Sequence, residues 1–470
     1  MKFKRSNQDY TAFLKTKAIS DNPSGFDVDL DDLNQMLFDW QKVLVKWSLY
    51  KGRSALFEDC GLGKTPQQLA WSDTVHQKTD GDILILAPLA VSIQTQKEGE
   101  KFGVDVNVCK TQDGMKQGIN ITNYERLHHF DQADIAGIVL DESSILKNFA
   151  GMIRNQIIDQ FISVPFKLCC TATPAPNDYM ELGNHSEFLG VMTRTEMLAM
   201  FFINDSGEAG KWRLKGHVKD NLFWKWLSSW AVMLSMPSDL GYENGGFELP
   251  EIKYHECIIP TTAKPKRGLF VDEVQTLNER RQVRKETIDI RTRLAGNIIN
   301  QTDDRFVIWC NLNDESAALT ECIDSAIEVA GRHDNDIKSK RMLDFASGQI
   351  RRIVTKPKVA GLGMNWQICH NAIFVGLSDS WEQLYQAVRR IWRYGQVEEV
   401  NIYIIIESRE GAVLKNIKRK DRQAKEMIEN MITHTKELTK RELAQTTKDI
   451  TDYVPQITME VPAWLQSLQP

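Results

Sequence analysis

The stretch FEDCGLGKTPQQL, residues 57–69, decides how the first half of the chain folds. Between an apolar run and a helical pattern it places Gly61, Gly63, Lys64 and Thr65. Such a turn offers backbone N–H groups and a helix N-terminus to phosphate, while its lysine reaches the terminal phosphates and its hydroxyl binds magnesium. The first glycine of the general pattern is absent, since Glu58 and Asp59 stand there. Taken alone, the turn is either a phosphate-binding loop or a strand-to-helix turn with an exposed lysine.

Length and composition limit the class of protein. With 470 residues, the chain has room for two ordinary cores, which predicts two domains. Its 42% apolar and 26% charged residues are typical of a globular protein. The start, MKFKRSNQDY, is too polar for a signal peptide, and no apolar run approaches the length that crosses a bilayer. We therefore expect a cytoplasmic protein without a membrane partner.

Cysteine spacing and net charge exclude less. The eight cysteines form neither a CxxC pair nor a Cys/His cluster with zinc spacing, so buried reduced thiols are expected. A formal charge of -5 argues against a protein coated in basic residues but permits a local basic channel. Net charge therefore leaves nucleic-acid binding open.

Short β-rich runs alternate with amphipathic stretches between residues 54 and 171. Strands are predicted at SALFE, DILILAP, VDVNVC, INIT, IAGIVL and FKLCCT. A second series follows Lys253, with strands at RFVIWC, IRRIVT, NAIFVGL and VNIYIII and helices at 313–326, 336–346 and 381–394. This alternation predicts two α/β domains, each with a parallel sheet covered on both faces.

Two further segments have a composition of their own. Residues 185–250 are rich in Trp, Phe and Met, which predicts a helical connecting segment whose tryptophans pack in a core rather than stack on bases. Residues 409–470 combine helical apolar spacing with many lysines and arginines, which predicts a charged helix bracing the second domain. Its basic face is either solvated or in contact with DNA.

The stretch IVLDESSILKN supplies an acidic pair at the end of an apolar strand. A P-loop ATPase needs such a pair: Asp141 would hold magnesium, and Glu142 would orient and deprotonate the attacking water. Further on, Arg390 and Arg393 lie three residues apart, so on a helix they would share a face, which is either solvated or able to point into the cleft between the domains. A guanidinium there would stabilise charge developing on the γ-phosphoryl group.

Together these stretches resemble the superfamily-two helicases, and in detail their Swi/Snf-like branch of DNA-dependent ATPases. In the first domain the resemblance lies in LFDWQKVLVKW, FEDCGLGKT, LAPLAVSIQTQKEGEKF, ITNYERL, LDESSILKN and CTATPAPNDYMEL. In the second it lies in FVIWC, AGRHDNDIKSKRMLDF, VAGLGMNW and QAVRRIWRYGQ. The motifs follow the family's order from about residue 37 to 406. The ordered set is far more specific than any one motif.

The resemblance implies two RecA-like domains in tandem, with ATP and Mg2+ bound between them. It implies catalytic roles for Lys64, Asp141, Glu142, Arg390 and Arg393. The implied ATP-binding residues are Gln41, which reads adenine, with Gly61, Leu62, Gly63, Lys64, Thr65 and Gln386. Thr65 and Asp141 would bind the metal, and Thr171 and Thr173 would couple nucleotide state to the domain interface. The implied DNA contacts are Pro88, Asn123, Gly361 and Gly363.

The chain departs from the family pattern at three places. Lys356 and Pro357 replace a usual Ser-Thr, Thr95 replaces a frequent tryptophan, and Ser144 replaces the usual histidine of the acidic motif. The contacts that those family residues make are therefore not carried over to this chain. None of the departures removes a group needed for hydrolysis.

The expected function is that of an ATP-dependent DNA translocase or helicase. Duplex DNA is favoured and would be held mainly by its backbone; possible partners are replication, recombination or restriction proteins, in a bacterial or viral setting. The alternatives are an RNA helicase of the same superfamily and a nucleotide-gated DNA clamp with negligible turnover. The domain division is 1–34 N-terminal extension, 35–184 first RecA-like domain, 185–250 connecting segment, 251–408 second RecA-like domain and 409–470 charged helical tail.

Overall fold

The computed structural model describes residues 23–88, 91–130, 135–147, 151–204, 212–215, 222–261, 277–360 and 364–447. Within these ranges the chain forms two parallel sheets, of seven and six strands, and a small antiparallel hairpin. None of the described helices combines the length and apolarity that crossing a bilayer requires. All eight cysteines are free.

The first sheet has the strand order β3-β4-β2-β5-β6-β1-β9, and each pairing in it is parallel. Its strands are β1 Arg53–Glu58, β2 Asp82–Ala87, β3 Val106–Val108, β4 Ile119–Asn123, β5 Ile135–Asp141, β6 Phe166–Cys170 and β9 Ala231–Leu234. Alternate residues of β2 enter opposite cores, Leu84 and Leu86 on one face and Ile83 and Ile85 on the other. Burial on both faces explains why these strands read as continuous apolar runs.

Helices cover both faces of this sheet. They are α1 Asp39–Lys51, α2 Lys64–Thr79, α3 Ser92–Phe102, α4 Met152–Gln160, α5 Leu182–Leu189, α6 Arg194–Phe201 and α7 Leu222–Trp230. The antiparallel hairpin consists of β7 Phe202–Asn204 and β8 Trp212–Leu214. In the sheet β5, β6 and β1 are neighbours, so their carboxyl ends meet at one edge. Ligands of open α/β sheets bind at that edge.

The second sheet has the order β10-β15-β14-β11-β13-β12, again with parallel pairings. Its strands are β10 Ile252–Ile259, β11 Phe306–Trp309, β12 Ala326–Val329, β13 Arg352–Thr355, β14 Asn371–Val375 and β15 Val400–Glu407. The helices of this half are α8 Leu277–Glu286, α9 Ile288–Asn300, α10 Asn313–Cys322, α11 Asn335–Ala346, α12 Pro357–Ala360, α13 Trp381–Val388 and α14 Gly411–Thr447. Two parallel-sheet domains in tandem, as expected from the sequence, are therefore the architecture of the chain.

The aromatic-rich segment is more closely joined to the first domain than a connector would be. It contains helices, as predicted, but β9 also pairs with β1 and extends the first sheet. Trp226 and Trp230 are buried in the core of that domain, with Phe223 and Phe201 against them. The prediction that these tryptophans pack in a core agrees with their burial.

The tail helix α14 corrects one expectation. Its first turns, with Val413, Leu414 and Ile417, pack into the second domain's core as predicted. Further along, Met431 lies in the first domain's core, and His434 stacks on Trp224 with ring centroids 4.9 Å apart. The helix therefore bridges both domains rather than bracing only the second, because its apolar stripe is long enough to serve two cores. Residues 448–470 of the predicted tail lie outside the described part of the chain.

Candidate functional site

The glycine turn after β1 forms a tight loop that leads directly into helix α2. Gly61 and Gly63 have φ values of +92° and +78°, a region that side-chain-bearing residues rarely adopt. A Cβ on Gly63 would lie 2.4 Å from Nε2 of Gln41, and one on Gly61 would lie 2.7 Å from the backbone nitrogen of Tyr394. Backbone conformation therefore favours glycine at both positions, and at Gly61 the close approach of the Tyr394 backbone requires it as well.

Lys64 and Gln41 both contact this loop. Lys64 Nζ donates to the carbonyl oxygens of Glu58 at 2.8 Å and Asp59 at 3.1 Å. Gln41, in the first turn of α1, accepts from the backbone N–H of Phe38 at 3.0 Å and donates to the Leu62 carbonyl at 2.8 Å. Leu62 itself has a buried side chain, so it contributes its backbone at this position.

The acidic pair lies at the carboxyl end of β5, which β6 separates from β1 and its loop. Gln68 Nε2 donates to Asp141 Oδ1 at 2.8 Å, and the Tyr124 hydroxyl donates to the Asp141 carbonyl at 2.6 Å. Glu142 has a φ of +55°, an unusual value for a residue with a side chain. From this turn Glu142 lines the space between the two domains.

Burial raises the pKa of both carboxyl groups. For Asp141, hydrogen bonding from Gln68 and the charges of Lys64 and Arg390 offset part of the rise in pKa. For Glu142, the neighbouring Asp141 charge raises the pKa further, while Lys64 and Arg390 lower it. A carboxylate with a raised pKa is a stronger base, which suits Glu142 to accepting a proton from water.

The two threonines predicted to couple the domains follow β6. The Thr171 hydroxyl lies 3.4 Å from Glu142 Oε2 and also accepts from the Thr173 backbone N–H at 3.1 Å. Thr173 is buried and its Oγ1 has no hydrogen-bond partner in the described structure. Thr171 thus contacts the acidic pair directly, whereas Thr173 contacts Thr171.

The two arginines face the same cleft from the second domain, but they do not lie on a helix. Helix α13 ends at Val388, and the following residues form tight turns in which the Arg390 N–H bonds to the Ala387 carbonyl at 3.3 Å. Arg390 and Arg393 both donate to the Met364 carbonyl, at 3.2 and 3.4 Å. This tertiary contact replaces the helical turn that local spacing predicts.

Burial lowers the pKa of both guanidinium groups, most clearly for Arg393, whose value falls to about 10 with a further contribution from Arg390. The charges of Glu142 and Asp141 counteract burial at Arg390. Gln386, predicted to bind ATP, is buried and accepts from Arg390 Nη2 at 3.1 Å. Gln386 therefore contacts Arg390 and helps to fix the position of its guanidinium group.

These groups line one cleft of about 380 Å³ between the domains. The cleft brings together the predicted residues Gln41, Gly61, Gly63, Lys64, Thr65, Asp141, Glu142, Arg390 and Arg393. Its wall also carries Phe38, Phe247 and Tyr394, with the last two ring centroids 4.6 Å apart. One aromatic end and one highly charged end give the cleft the chemistry of a nucleotide site.

A contact that sequence reasoning missed joins the domains beside the loop. Tyr385 donates its hydroxyl to Asp59 Oδ1 at 2.6 Å, and Arg389 forms an ion pair with Asp59 Oδ2. Although burial alone would lower it, the charge of Asp59 leaves the pKa of Arg389 raised. The sequence signal for this contact was Arg389, the first arginine of QAVRR. A charged residue alone does not identify a partner more than 300 residues away in the chain.

A second cleft, of about 410 Å³, opens between the domains on another side of the acidic pair. Pro88 lines it together with Tyr124, Glu125, Glu142, Ser144, Lys147, Lys338, Lys358 and Glu382. Asn123 is buried in β4, so its neighbours Tyr124 and Glu125 face the cleft instead. Gly361 and Gly363 lie outside the described residues.

The departures from the family pattern occupy definite places. Ser144 lines the second cleft, and Thr95 is buried in α3. Ser143 lies 3.2 Å from Nε2 of the fully buried His185, whose pKa burial lowers to about 4. A neutral imidazole therefore packs beneath the acidic turn. Lys356 binds Asn313 at 2.6 Å within the second domain.

Two parallel-sheet domains that bring a P-loop, an acidic pair and two arginines to one cleft define the class of superfamily-two helicases and ATPases. Comparison with known families agrees: residues 40–197 match the SNF2-related domain, and residues 290–395 match the helicase conserved C-terminal domain. The chain therefore belongs to the Swi/Snf-like group of that superfamily. None of the curated proteins compared with it matches the chain.

Proposed function

We propose that the protein is an ATP-dependent DNA translocase or helicase. The observation that carries the proposal is the first cleft, which faces Lys64, Asp141 and Glu142 of one domain with Arg390 and Arg393 of the other. Because the two halves of the site belong to different domains, hydrolysis requires a closed arrangement and release permits an open one. That dependence lets ATP turnover drive domain movement.

The residues of the cleft fit ATP with magnesium. Gly61 and Gly63 allow the left-handed backbone of the loop, and helix α2 begins at Lys64, with Lys64 and Thr65 lining the cleft at the helix N-terminus, a favourable end for phosphate. Thr65 and Asp141 offer a hydroxyl and a carboxylate, oxygen ligands that Mg2+ accepts alongside phosphate and water. Among the described residues there is no cluster of three or more His, Cys, Asp or Glu for a metal. A magnesium ion carried in with the nucleotide needs no such cluster.

Each protein group has a separate task in the proposed hydrolysis. Lys64 exchanges its loop carbonyls for phosphate oxygens, and Glu142 takes a proton from the attacking water. The bound Mg2+ neutralises phosphate charge. Arg390 and Arg393 stabilise the charge that develops on the transferred group. Phe38, Phe247 and Tyr394 provide apolar faces for a purine, beside Gln41 as its hydrogen-bonding partner.

DNA is proposed to bind in the second cleft. Lys147, Lys338 and Lys358 line it, and lysines attract phosphate without reading bases. Pro88 lies in the same lining, whereas the proposed contacts at Asn123, Gly361 and Gly363 rest on the resemblance alone. Backbone contacts of this kind give binding without sequence preference. Duplex DNA is the favoured track because the chain is Swi/Snf-like.

An ATP hydrolysis assay with single-stranded DNA, duplex DNA, forked DNA and RNA tests the proposal. We expect duplex DNA to stimulate hydrolysis most, and Glu142→Gln to abolish the stimulated turnover while ATP still binds. Stimulation by RNA alone would favour an RNA helicase. ATP binding without turnover on any polynucleotide would favour a nucleotide-gated clamp and overturn the motor.

A further inference from the structure

The strongest unexplained feature outside the ATP cleft is an ion pair that crosses between the domains. Lys147, just after the acidic turn, pairs with Glu382 in the first turn of α13. Both side chains line the second cleft, and both keep some exposure, 34% for the lysine and 20% for the glutamate. The pair is therefore accessible to a ligand in that cleft.

The helix that carries Glu382 also reaches the ATP loop. Tyr385 and Arg389 follow Glu382 at spacings of three and seven residues, which places all three on one side of α13 and its C-terminal cap. Tyr385 and Arg389 contact Asp59 in the loop that precedes Lys64. One face of one helix thus touches the first domain at the second cleft and again at the loop that precedes Lys64.

Glu142 connects the two clefts from the other domain. Its side chain lines both of them. Glu142 and Glu382 line the second cleft together, from opposite domains. A ligand that moves Glu382 in that cleft therefore acts beside the residue proposed to activate water.

We propose that the Lys147–Glu382 ion pair is an autoinhibitory contact, which a DNA phosphate breaks by taking Lys147 for itself. The proposal rests on the proposed function and names how DNA regulates that site. The Glu382 carboxylate binds the Lys147 ammonium group in place of a DNA phosphate. The ion pair thereby holds α13 in an arrangement in which the protein hydrolyses ATP slowly. DNA in the second cleft displaces Glu382 and releases this end of α13, so that the pair no longer restrains the domain movement that turnover needs.

The energetic balance makes such a contact suitable for regulation. Partly exposed ion pairs contribute little stability, so a phosphate with a full charge and several acceptor oxygens competes successfully for the lysine. Because DNA prefers the broken state, weakening the pair must raise both the DNA-free rate and the affinity for DNA. A purely structural ion pair would change neither.

The decisive experiment measures ATP hydrolysis by Glu382→Gln with and without duplex DNA. We expect the DNA-free rate to rise, and the DNA concentration for half-maximal stimulation to fall, each by about twofold to fivefold. Glu399→Gln is the matched control, because Glu399 pairs with Lys253 at the surface of the second domain, away from both clefts. That variant should behave like the unaltered protein.

Lys147→Met separates the two roles of the lysine. It should raise the DNA-free rate as Glu382→Gln does, yet it should not improve DNA affinity, since the phosphate ligand is gone. The exchanged pair, Lys147→Glu with Glu382→Lys, should return the DNA-free rate towards that of the unaltered protein.

Equal DNA-free rates and equal DNA affinities in Glu382→Gln and Glu399→Gln would overturn the proposal. Stimulation by inorganic polyphosphate as strong as that by DNA would overturn DNA as the occupant. If the unaltered protein hydrolyses ATP with DNA and Glu382→Gln leaves both the DNA-free rate and the DNA affinity unchanged, only the autoinhibitory role of this ion pair is overturned. If it hydrolyses no ATP with any polynucleotide, the proposed function itself fails.

Discussion

The two clefts between the domains have similar volumes, about 380 and 410 Å³, but they are built differently. The first collects charged groups from strand ends and tight turns, where backbone conformation fixes them. The second collects its lysines and its acids mainly from helices and short connecting turns, and the apolar Ile145, Ile153 and Met342 lie between them. Rigid backbone positions suit a small ligand, whereas side chains spread along a cleft suit an extended polyanion.

Charge burial follows the same division. In the first cleft, burial shifts the pKa of Asp141, Glu142, Arg390 and Arg393. In the second, the partly exposed Lys147 and Glu382 neutralise each other directly. The comparison teaches that changes in the first cleft should act on ATP binding and hydrolysis, and changes in the second should act on DNA affinity, its salt dependence and the control of hydrolysis by DNA.

The largest effect is expected from Arg390→Lys. The lysine keeps the charge but loses the planar fork, so stabilisation of the transition state falls and hydrolysis should slow by about 10³-fold. ATP affinity should change much less. Stopped assays of the DNA-stimulated rate and equilibrium ATP binding separate the two quantities. Arg351→Lys, at an exposed ion pair of the second domain, is the control. A rate equal to that of the control would remove Arg390 from the site.

Glu58 tests the charge burial beneath the first cleft. Its carboxyl group is fully buried, and burial raises its pKa to about 7 from 4.5, with Lys64 and Gln67 lowering it in part. Between those pH values the folded protein binds the proton more tightly than the unfolded chain. The stability supplied by Glu58 is therefore present below about pH 4.5 and lost as pH rises through about 7.

The variant Glu58→Gln removes this dependence. Relative to the unaltered protein, it should gain stability as pH rises, by on the order of 3 kcal/mol or less between about pH 5 and about pH 8. Denaturant titrations at both pH values measure the gain. Glu399→Gln, at an exposed glutamate, should gain nothing with pH. If Glu58→Gln instead lost stability relative to the unaltered protein as pH rises, Glu58 would be charged in the folded protein and either solvated or paired.

Gly63→Ala probes the backbone of the ATP loop. The new Cβ would meet Gln41 Nε2 at 2.4 Å while φ stays near +78°, so the Gln41 side chain must move away from the loop. We expect ATP affinity to fall by about tenfold, or ~1.4 kcal/mol, because the alanine displaces Gln41, the residue proposed to bind the purine. Gly103→Ala is the control, because Gly103 has a φ of +71° with nothing within 4 Å of the added carbon. It should lose stability without losing ATP affinity, and a similar fall of affinity in both would contradict a local role for Gly63.

The smallest effect is expected in the second cleft, from Lys338→Ala and Lys358→Ala. Each should weaken DNA binding severalfold, and removing one phosphate contact should reduce the logarithmic salt slope by about 0.9 for duplex DNA. Titrations at several salt concentrations measure both quantities. Lys78→Ala, at an exposed lysine in the last turn of α2, is the control. An unchanged slope in both variants would move the DNA away from this cleft.

The sequence predicts the parts of the fold that continuous patterns encode. Buried parallel strands such as β2 and β14 are apolar throughout, and the glycines of the first loop indicate the turn into α2. Five strands of the described residues escape prediction, among them the three-residue β7 and β8 of the hairpin. The four-residue β9 and β12 are too short to stand out, and β10 alternates exposed and half-buried residues along an edge. Their pairing depends on neighbours that are distant in sequence.

The same limit applies to the candidate site. Short contiguous motifs contain Lys64, Asp141 and Glu142, and the order of the residues in each motif predicts their chemistry. Asp59 with Arg389, and Lys147 with Glu382, are pairs whose partners lie more than 200 residues apart. Helix α13 ends before Arg390 because Met364 and Trp366 bind the following turns, and no local propensity encodes those contacts.

Helix α14 sets a limit on how the domains move. At about 1.5 Å per residue, its 37 residues span roughly 55 Å. Val413 and Ile417 anchor one end in the second core, and Met431 and Leu443 anchor the other in the first. A helix anchored in both domains resists their separation along its axis. It permits a rotation of one domain against the other about that axis. If ATP turnover moves the domains, the movement that these anchors permit is a rotation of one domain against the other about the axis of α14. Such a rotation would slide the two walls of the ATP cleft past each other.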